Sequence, residues 1–550
     1  MSPRKAAGAL FLLAVIFRTL YVFVFPPGGT DHEMMHTAAQ NLLSGHGLGF
    51  FEASAGDLST VRFRAMHEWP PLAAWMLSVA TAITGDGRLA DFLLFGSGIL
   101  LLLVVLRALM GVLQLGPRVQ ALLWILVVSN PEPFRNLGLT DLYGALFLLW
   151  SVLLCIRLLQ QPAGSNRQVI VASLFFFLPA AFRYQYYPLI FLFPAFLLIA
   201  AWMGNRRLLF RQAWLSFSVV FFLLATQVAF LFQQSGSGAF IAKDATGFYP
   251  ENLLWTYPFL VKSFINTSYL ENTLIAWGGT WSLMIYYALL LFVTVFICTK
   301  LFQYLVRRLW QLRPAAAKAA DAEEHWQQRL VPALANFLLM GVSLAVLLLL
   351  TVLSLRYDAQ KTPEGAFGFT YVHESRYFLG SSLLLLLLVS RLLQEHPFRL
   401  PQLRLLPVRR LAIATLLVVN LSLFGKFLVN VSFGAVPSTG TAQLAERKKV
   451  EQTLLRLKEK NNLPIVVAAS VKYFAYQPQP DVAVLQDYQE VLQSGVRTSQ
   501  PVQLVLITRK QLSDAELKFI YQKGAVQVYA GNRCRLYHVI AGSNEQMAAR

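Results

Sequence analysis

The sequence predicts an all-α, polytopic membrane protein that ends in a small soluble α/β domain. Hydrophobic residues make up 56% of the 550 residues and charged residues only 14%, whereas soluble proteins average about 45–50% and about 25%. Apolar stretches long enough to cross a bilayer recur as far as residue 430. Beyond that point, short strand-like and helix-like patterns replace them. We therefore predict a transmembrane domain over residues 1–430 and an extracytoplasmic domain over residues 431–550.

The apolar stretches predict about eleven transmembrane helices. They lie near residues 6–25, 88–106, 119–130, 139–157, 168–182, 186–203, 212–233, 279–299, 331–353, 377–393 and 411–430. The stretch 71–84 is also apolar, but it is short and opens with two prolines, so we assign it to the membrane interface. With this assignment the Lys and Arg clusters gather on one face, which the positive-inside rule makes cytoplasmic. The first loop, residues 26–87, then lies outside.

The C-terminal region has the pattern of a separate α/β module. Its sequence predicts strands at 465–469, 503–507, 526–530 and 535–540, and helices at 446–460, 484–493 and 512–522. Because this region contains no phosphate-binding loop, paired carboxylates or metal-ligand pattern, we look for the functional site elsewhere in the chain.

The net charge of +19 does not indicate a nucleic-acid-binding protein. The basic residues lie in short loops between apolar segments and form no groove-like run with interleaved aromatic residues. We predict a lipid bilayer as their partner and no nucleic acid. The three cysteines, Cys155, Cys298 and Cys534, form no CxxC pattern and no plausible disulfide framework.

The first loop is the most polar part of the predicted membrane domain. Ionisable groups beside a bilayer cost desolvation energy, so their concentration marks a candidate site. His32, Glu33 and His36 match the HExxH pattern, in which two histidines bind zinc and the glutamate acts on a bound water. A metalloprotease also needs a third ligand, and no later segment offers an obvious one. The pattern fixes only three positions, so chance matches to it are common.

Several short motifs, taken in order, resemble the integral-membrane GT-C glycosyltransferases, which include protein O-mannosyltransferases and the aminoarabinose transferases of lipid A. Thr30-Asp31-His32-Glu33 is followed by the run NLLSGHG at 41–47, and Glu68-Trp69-Pro70-Pro71-Leu72 is similar to their E-x-P-P-L element. Thr140-Asp141 and Arg376-Tyr377 resemble elements that open later helices. Together these motifs cover roughly the first 190 residues and the segment near 376. One departure is Trp69, where some relatives carry a basic residue.

The resemblance implies transfer of a sugar from a polyprenyl-phosphate donor to a lipid, glycan or protein acceptor on the outer face of a membrane. This reaction needs a base for the acceptor hydroxyl and cations for the leaving phosphate. Asp31 is our candidate base in a single inverting displacement. The other candidates are Glu68 and Asp141 as further catalytic acids, and Arg376, Arg183, Arg62, Arg64 and His373 as phosphate-binding residues. We assign no cofactor, and a metal-assisted variant with a divalent cation at Glu33, His32 and His36 stays open.

Simpler roles compete with these assignments. Asp31 suits a helix N-cap, and Arg183 and Arg376 suit interfacial residues whose charged ends reach the headgroups. Arg18 lies inside the first predicted helix and needs a partner in the bundle, for which Asp141 is a candidate. A membrane transporter or lipid flippase is the alternative function. For the glycosyltransferase we expect a multi-pass protein of the bacterial inner membrane whose site faces the periplasm or exterior.

Overall fold

A computed structural model gives the fold. It describes residues 2–24, 30–54, 56–66, 70–130, 134, 137–161, 165–235, 247–264, 267–318, 322–356, 375–395, 439–469, 482–485, 492, 498–509, 511–531 and 534–542. The chain divides into two compact units. The helical unit comprises Met1–Leu20, Phe95–Phe232 and Gly238–Ser432, and the mixed unit comprises Tyr21–Leu94, Gln233–Ser237 and Phe433–Arg550.

Helices dominate the described part of the chain before residue 396. They are α1 (Pro3–Val24), α2 (Thr30–Leu43), α3 (Leu72–Thr84), α4 (Gly87–Val112), α5 (Pro117–Ser129), α6 (Leu139–Gln160), α7 (Asn166–Phe182), α8 (Leu192–Gly204), α9 (Arg207–Ser235), α10 (Leu253–Lys262), α11 (Ser268–Lys318), α12 (Ala322–His325), α13 (Val331–Arg356) and α14 (Leu379–Glu395). Among the described residues, seven helical segments have the length and composition to cross a membrane. This arrangement confirms the predicted helical membrane fold.

The seven long segments coincide with seven predicted spans. They are Leu89–Val112, Leu139–Gln160, Tyr184–Gly204, Arg207–Phe230, Trp281–Arg313, Glu323–Arg356 and Arg376–Glu395. The predicted spans at 119–130 and 168–182 are the shorter helices α5 and α7, of 13 and 17 residues. At about 1.5 Å per residue both fall short of a hydrocarbon core of about 30 Å. The predicted span 411–430 lies outside the described residues.

Helix α6 is the central helix of the helical unit. It contacts α7, α13 and α14, and Leu142, Leu146 and Leu149 along it are fully buried. In contrast, the apolar side chains of Trp281–Arg313 in α11 are mostly exposed. An apolar helix that is exposed over most of its surface is suited to lipid, so α11 has the character of a lipid-facing helix.

Arg18 is buried inside the helical unit, and its observed partners differ from the expected acid. Its guanidinium donates to the carbonyl oxygens of Val127, Val128 and Asn130, with distances of 3.1 Å to Val128 and 2.6 Å to Asn130. The Phe134 ring centroid lies 4.3 Å from Cζ of Arg18. These carbonyls belong to the C-terminal end of α5, where the helix dipole favours a cation. The proposed pairing of Arg18 with Asp141 is therefore wrong.

The mixed unit contains a seven-stranded sheet. Its strands are β1 (Gly49–Ser54), β2 (Asp57–Ala65), β3 (Ile465–Ala469), β4 (Val482–Leu485), β5 (Val502–Arg509), β6 (Val526–Ala530) and β7 (Cys534–Ala541), in the order β2-β1-β4-β3-β5-β7-β6. The predicted strands in the C-terminal region are confirmed. The predicted helix at 484–493 is wrong at its start, because Val484 and Leu485 belong to β4.

The sheet has helices on both faces because its central strands alternate their side chains. Val466, Leu504 and Leu506 pack in one core with Phe519 of α16 (Asp514–Lys523). Val467, Val505 and Ile507 point to the opposite face and pack with Leu454 of α15 (Thr439–Asn461). The described residues of this region thus form a three-layer α/β/α module.

Two strands of this sheet come from the first loop. Strands β1 and β2 form an antiparallel hairpin, and Glu52 of β1 pairs in parallel with Val484 of β4. Asp57 at the hairpin turn accepts hydrogen bonds from the backbone nitrogens of Ser59 and Ser499, each at 3.0 Å. The Ser499 hydroxyl also donates to Asp57 at 2.7 Å. The hairpin is therefore attached to the C-terminal strands by both ladder and side-chain contacts.

We predict that Asp57→Asn loosens the hairpin at neutral pH. Hydrogen bonds from Ser59 and Ser499 hold the pKa of Asp57 below its usual range. The ionised carboxylate therefore stabilises the fold above its unfolded-state pKa of about 3.9, and this stabilisation is lost as the pH falls through the lower folded-state pKa. For a partly exposed group we expect an effect on the order of 1 kcal/mol.

Amide hydrogen exchange of residues 49–65 in the full-length protein measures this effect. Wild type should be better protected than Asp57→Asn above about pH 5, and the difference should shrink below about pH 4. Glu459→Gln, an exposed substitution on α15, is the matched control. A difference that grows on acidification would contradict the assignment.

Candidate active site

Asp141 lies in the first turn of α6, the central helix. Its Oδ2 accepts a hydrogen bond from the backbone nitrogen of Gly138 at 3.3 Å. A carboxylate at this position is stabilised by the free N–H groups and by the dipole of the helix start. The side chain is only 2% exposed. An ionised group so deeply buried requires positively charged or hydrogen-bonding partners.

Arg183 supplies the first of these partners. It follows the last residue of α7, where a helix containing Pro179 gives way to the 3₁₀ segment Tyr184–Phe191. Its Nη1 forms an ion pair with Oδ1 of Asp141, and its side chain is 4% exposed. Helices α6 and α7 are in contact, so the start of one and the end of the other bring the two charges together.

Arg376 is the second partner. It lies in the 3₁₀ turn Ser375–Phe378 that leads into α14. Its Nη1 is 3.6 Å from Oδ2 of Asp141, and its Nη2 donates to the Tyr377 hydroxyl at 3.2 Å. The Tyr377 ring centroid lies 4.4 Å from Cζ of Arg183 and 5.0 Å from Cζ of Arg376. Tyr377 therefore contacts both guanidinium groups.

The cluster Asp141–Arg183–Arg376 thus gathers the ends of three helices at one end of the helical unit. Two planar guanidinium groups converge on a single carboxylate. Guanidinium groups bind phosphate through two parallel N–H donors, and low surrounding polarity strengthens such bonds. Chemically, this arrangement can hold a phosphate group at a helix end.

The remaining predicted site residues are placed as follows. Asp31 and Glu33 lie in the first turn of α2, and their side chains lie outside the described residues. Glu68 and His373 also lie outside the described residues. Arg62 is exposed on β2, and Arg64 on the same strand forms an ion pair with Glu52 of β1. The arginines of β2 belong to the mixed unit, whereas the Asp141 cluster belongs to the helical unit.

A second cluster of ionisable groups occurs in the mixed unit. Nε2 of His32 is 3.0 Å and Nε2 of His36 is 2.6 Å from Oδ2 of Asp91. The two histidines were predicted as candidate metal ligands, whereas Asp91 was not. A carboxylate at the start of an apolar helix could have identified Asp91 as a candidate. However, 55 residues separate Asp91 from His36, so no sequence motif connects the two residues.

A buried ion pair between Lys262 and Glu271 was also missed. The Lys262 ammonium lies 2.6 Å from Oε2 of Glu271, and Oε1 of Glu271 accepts a hydrogen bond from Thr267 at 2.8 Å. The Asn130 side chain donates to the Lys262 carbonyl at 2.9 Å. This pair links α10 to α11, so its evident role is structural.

The long apolar helices and the sheet define a multi-pass membrane protein with an additional α/β region. Among solved structures, the fold is similar to that of ArnT from Cupriavidus metallidurans bound to undecaprenyl phosphate, with 12% sequence identity, a TM-score of 0.51 and coverage of 99% of both chains. The apo state of the same protein aligns over 98% of both chains, with 13% identity and a TM-score of 0.44. No family model matches the sequence. No curated protein sequence matches it significantly.

We predict that substitutions of Asp141 and Arg183 have non-additive effects on stability. Asp141→Asn leaves two buried arginines without their carboxylate and should lower stability by about 3–5 kcal/mol. Arg183→Gln should cost less, because Arg376 still faces Asp141. The double variant should be less destabilised than the sum of the two single variants, because the two side chains that attract each other are removed together and only Arg376 then loses its carboxylate.

Thermal unfolding of the purified protein in detergent measures these differences. Arg157→Gln is the matched control, because Arg157 is exposed near the opposite end of α6. Strictly additive effects of Asp141→Asn and Arg183→Gln would show that the two side chains do not interact.

Proposed function

We propose that this protein is a glycosyltransferase that moves a sugar from a polyprenyl-phosphate donor to an acceptor on the extracytoplasmic face of a membrane. The observation that carries the proposal is the convergence of Arg183 and Arg376 on Asp141 at one end of the helical unit. The similar fold of ArnT, whose structure contains undecaprenyl phosphate, supports it. The motifs around Asp31, Glu68, Asp141 and Arg376 add the sequence support.

In this proposal the donor phosphate binds at the Asp141 cluster. Arg376 is the more accessible arginine, with 10% of its side chain exposed against 4% for Arg183, and it stands farther from the carboxylate. We therefore assign Arg376 the first contact with phosphate and Arg183 the positioning of Asp141 and Tyr377. Arg62, Arg64 and His373 are secondary candidates for the phosphate or for other polar parts of the substrates.

The proposed reaction is a single inverting displacement. Asp31 accepts the proton of the acceptor hydroxyl, and the freed oxygen forms a bond to the anomeric carbon of the sugar. The bond from that carbon to the phosphate oxygen breaks, and the electron pair leaves with the polyprenyl phosphate. Guanidinium groups stabilise the charge that develops on this leaving group. Glu68 and Asp141 are proposed to orient the acceptor or the sugar.

The proposal includes the substrates and the location. The donor is a lipid-linked sugar that enters from the bilayer, and the acceptor is a hydroxyl of a lipid, a glycan or a protein. We propose the bacterial inner membrane as the location, with the site facing the periplasm or exterior. The seven long apolar segments fit the multi-pass arrangement that this location requires.

We predict that the purified protein transfers labelled sugar from a polyprenyl-phosphate donor. Asp31→Asn should lower kcat by about 10²–10⁴-fold, the range expected for loss of a general base. Arg376→Gln should reduce kcat/KM for the donor by about 10²-fold or more, because a charge-assisted contact to phosphate is lost. Both variants should keep the wild-type elution profile on gel filtration.

Arg391→Gln is the matched control for Arg376→Gln. Arg391 lies near the other end of α14 and pairs with Glu395 at 2.8 Å, so its loss should leave donor kinetics close to wild type. Wild-type rates in a folded Asp31→Asn protein would remove Asp31 from the mechanism. Movement of the lipid-linked sugar across sealed vesicles without chemical change would instead establish a transporter or flippase.

A further inference from the structure

Two helical segments of the mixed unit, α2 and the first turns of α4, carry three potential metal ligands. His32 and His36 are one turn apart on α2, and their ring centroids are 4.7 Å apart with the planes nearly perpendicular. Asp91 comes from the first turns of α4. One ligand atom from each residue lies within 4.8 Å of the other two. The spacing i, i+4 places both histidines on the same face of α2, toward Asp91.

The hydrogen bonds of this cluster show how a metal would fit. Both imidazole Nε2 atoms approach the same oxygen, Oδ2 of Asp91, at 3.0 and 2.6 Å, so each nitrogen must donate a proton to it. Two protons therefore occupy the space between three potential ligand atoms. In a tetrahedral zinc site with bonds of about 2.0–2.1 Å, neighbouring ligand atoms are about 3.3 Å apart. Small side-chain shifts give this separation once the protons leave.

The second carboxylate oxygen of Asp91 supports the same conclusion. Among the described residues, Oδ1 of Asp91 is buried without a hydrogen-bond partner. A buried acceptor without a partner costs free energy, and a carboxylate that binds a cation recovers part of that cost.

We propose that His32, His36 and Asp91 bind a divalent transition metal of the Zn²⁺ class. Two neutral imidazoles and one carboxylate suit such ions and do not suit Mg²⁺ or Ca²⁺, which prefer oxygen ligands. For binding, each Nε2 must be free of its proton: a neutral ring carries this proton on Nδ1 instead, and an imidazolium ring releases it to solvent. Two metal–nitrogen bonds and one metal–oxygen bond then replace three metal–water bonds of the hydrated ion. A water molecule completes the coordination.

The role of this metal is to fix α2 against the first turns of α4, within the mixed unit. The three side chains are only 5%, 14% and 15% exposed, which leaves little access for a peptide substrate and argues against a hydrolytic site. Asp31 precedes His32 in the first turn of α2, so the metal would also hold the backbone of the proposed base. Only this last consequence rests on the proposed function.

Metal analysis of the full-length protein tests the proposal. The protein is purified in detergent with its affinity tag removed, treated with a chelator, incubated with ZnCl₂ and passed through gel filtration before elemental analysis. We expect about one zinc per chain in wild type and a loss of at least about tenfold in His36→Ala and Asp91→Asn. Co²⁺ in place of zinc should give visible absorption typical of a tetrahedral site in wild type only.

His46→Ala is the matched control. His46 follows α2 and packs against the Phe51 ring at 5.1 Å, away from the three ligands, so its loss should leave the zinc content unchanged. His32→Gln is a second ligand variant in case His36→Ala does not fold. Equal zinc in wild type and all folded ligand variants would overturn the proposal, as would a wild type that binds neither Zn²⁺ nor Co²⁺. Because the measurement is metal content, its failure leaves the proposed sugar transfer untouched.

Discussion

A carboxylate buried in an apolar bundle must be neutralised where it lies, and Asp141 meets this requirement by drawing three helix ends together. The start of α6 holds the carboxylate, the end of α7 supplies Arg183, and the turn before α14 supplies Arg376. Helix α6 is also the most buried of the long helices. A substitution of Asp141 is therefore expected to disturb the packing at the centre of the helical unit. The same cluster therefore serves packing and, in the proposed function, phosphate binding.

Other buried charges of the helical unit are also neutralised by nearby groups, but their partners differ. Arg18 uses backbone carbonyls at the end of α5, and Lys262 uses Glu271. Backbone carbonyls offer partial negative charge without a second ionised group, so they can accept the hydrogen bonds of a buried guanidinium. A buried arginine can therefore be stabilised either by an acidic side chain or by backbone carbonyls. The sequence does not show which of the two applies, and for this reason it suggested the wrong partner for Arg18.

The membrane helices were predictable because each is a local apolar run, and composition within 20 residues determines it. The sequence identified three candidates correctly as charged residues at the ends of predicted helices, where a charge next to apolar surroundings requires a partner: Asp141, Arg183 and Arg376. The convergence of these three side chains could not be predicted, because it depends on packing between α6, α7 and α14. Asp91 and the β1–β2 hairpin were missed for a related reason. Their partners lie far away in the sequence, and periodicity reports only on neighbours.

The shared sheet has a consequence for how the chain is made. Glu52 pairs with Val484, so the hairpin of the first loop is synthesised roughly 430 residues before the strand that completes it. At about 5–20 residues per second the β1 edge waits on the order of 20–90 s. During that interval it presents open backbone donors and acceptors. The nascent protein therefore has a built-in delay in which its earliest loop needs protection from other chains, and any early stop before β4 would leave that edge permanently open.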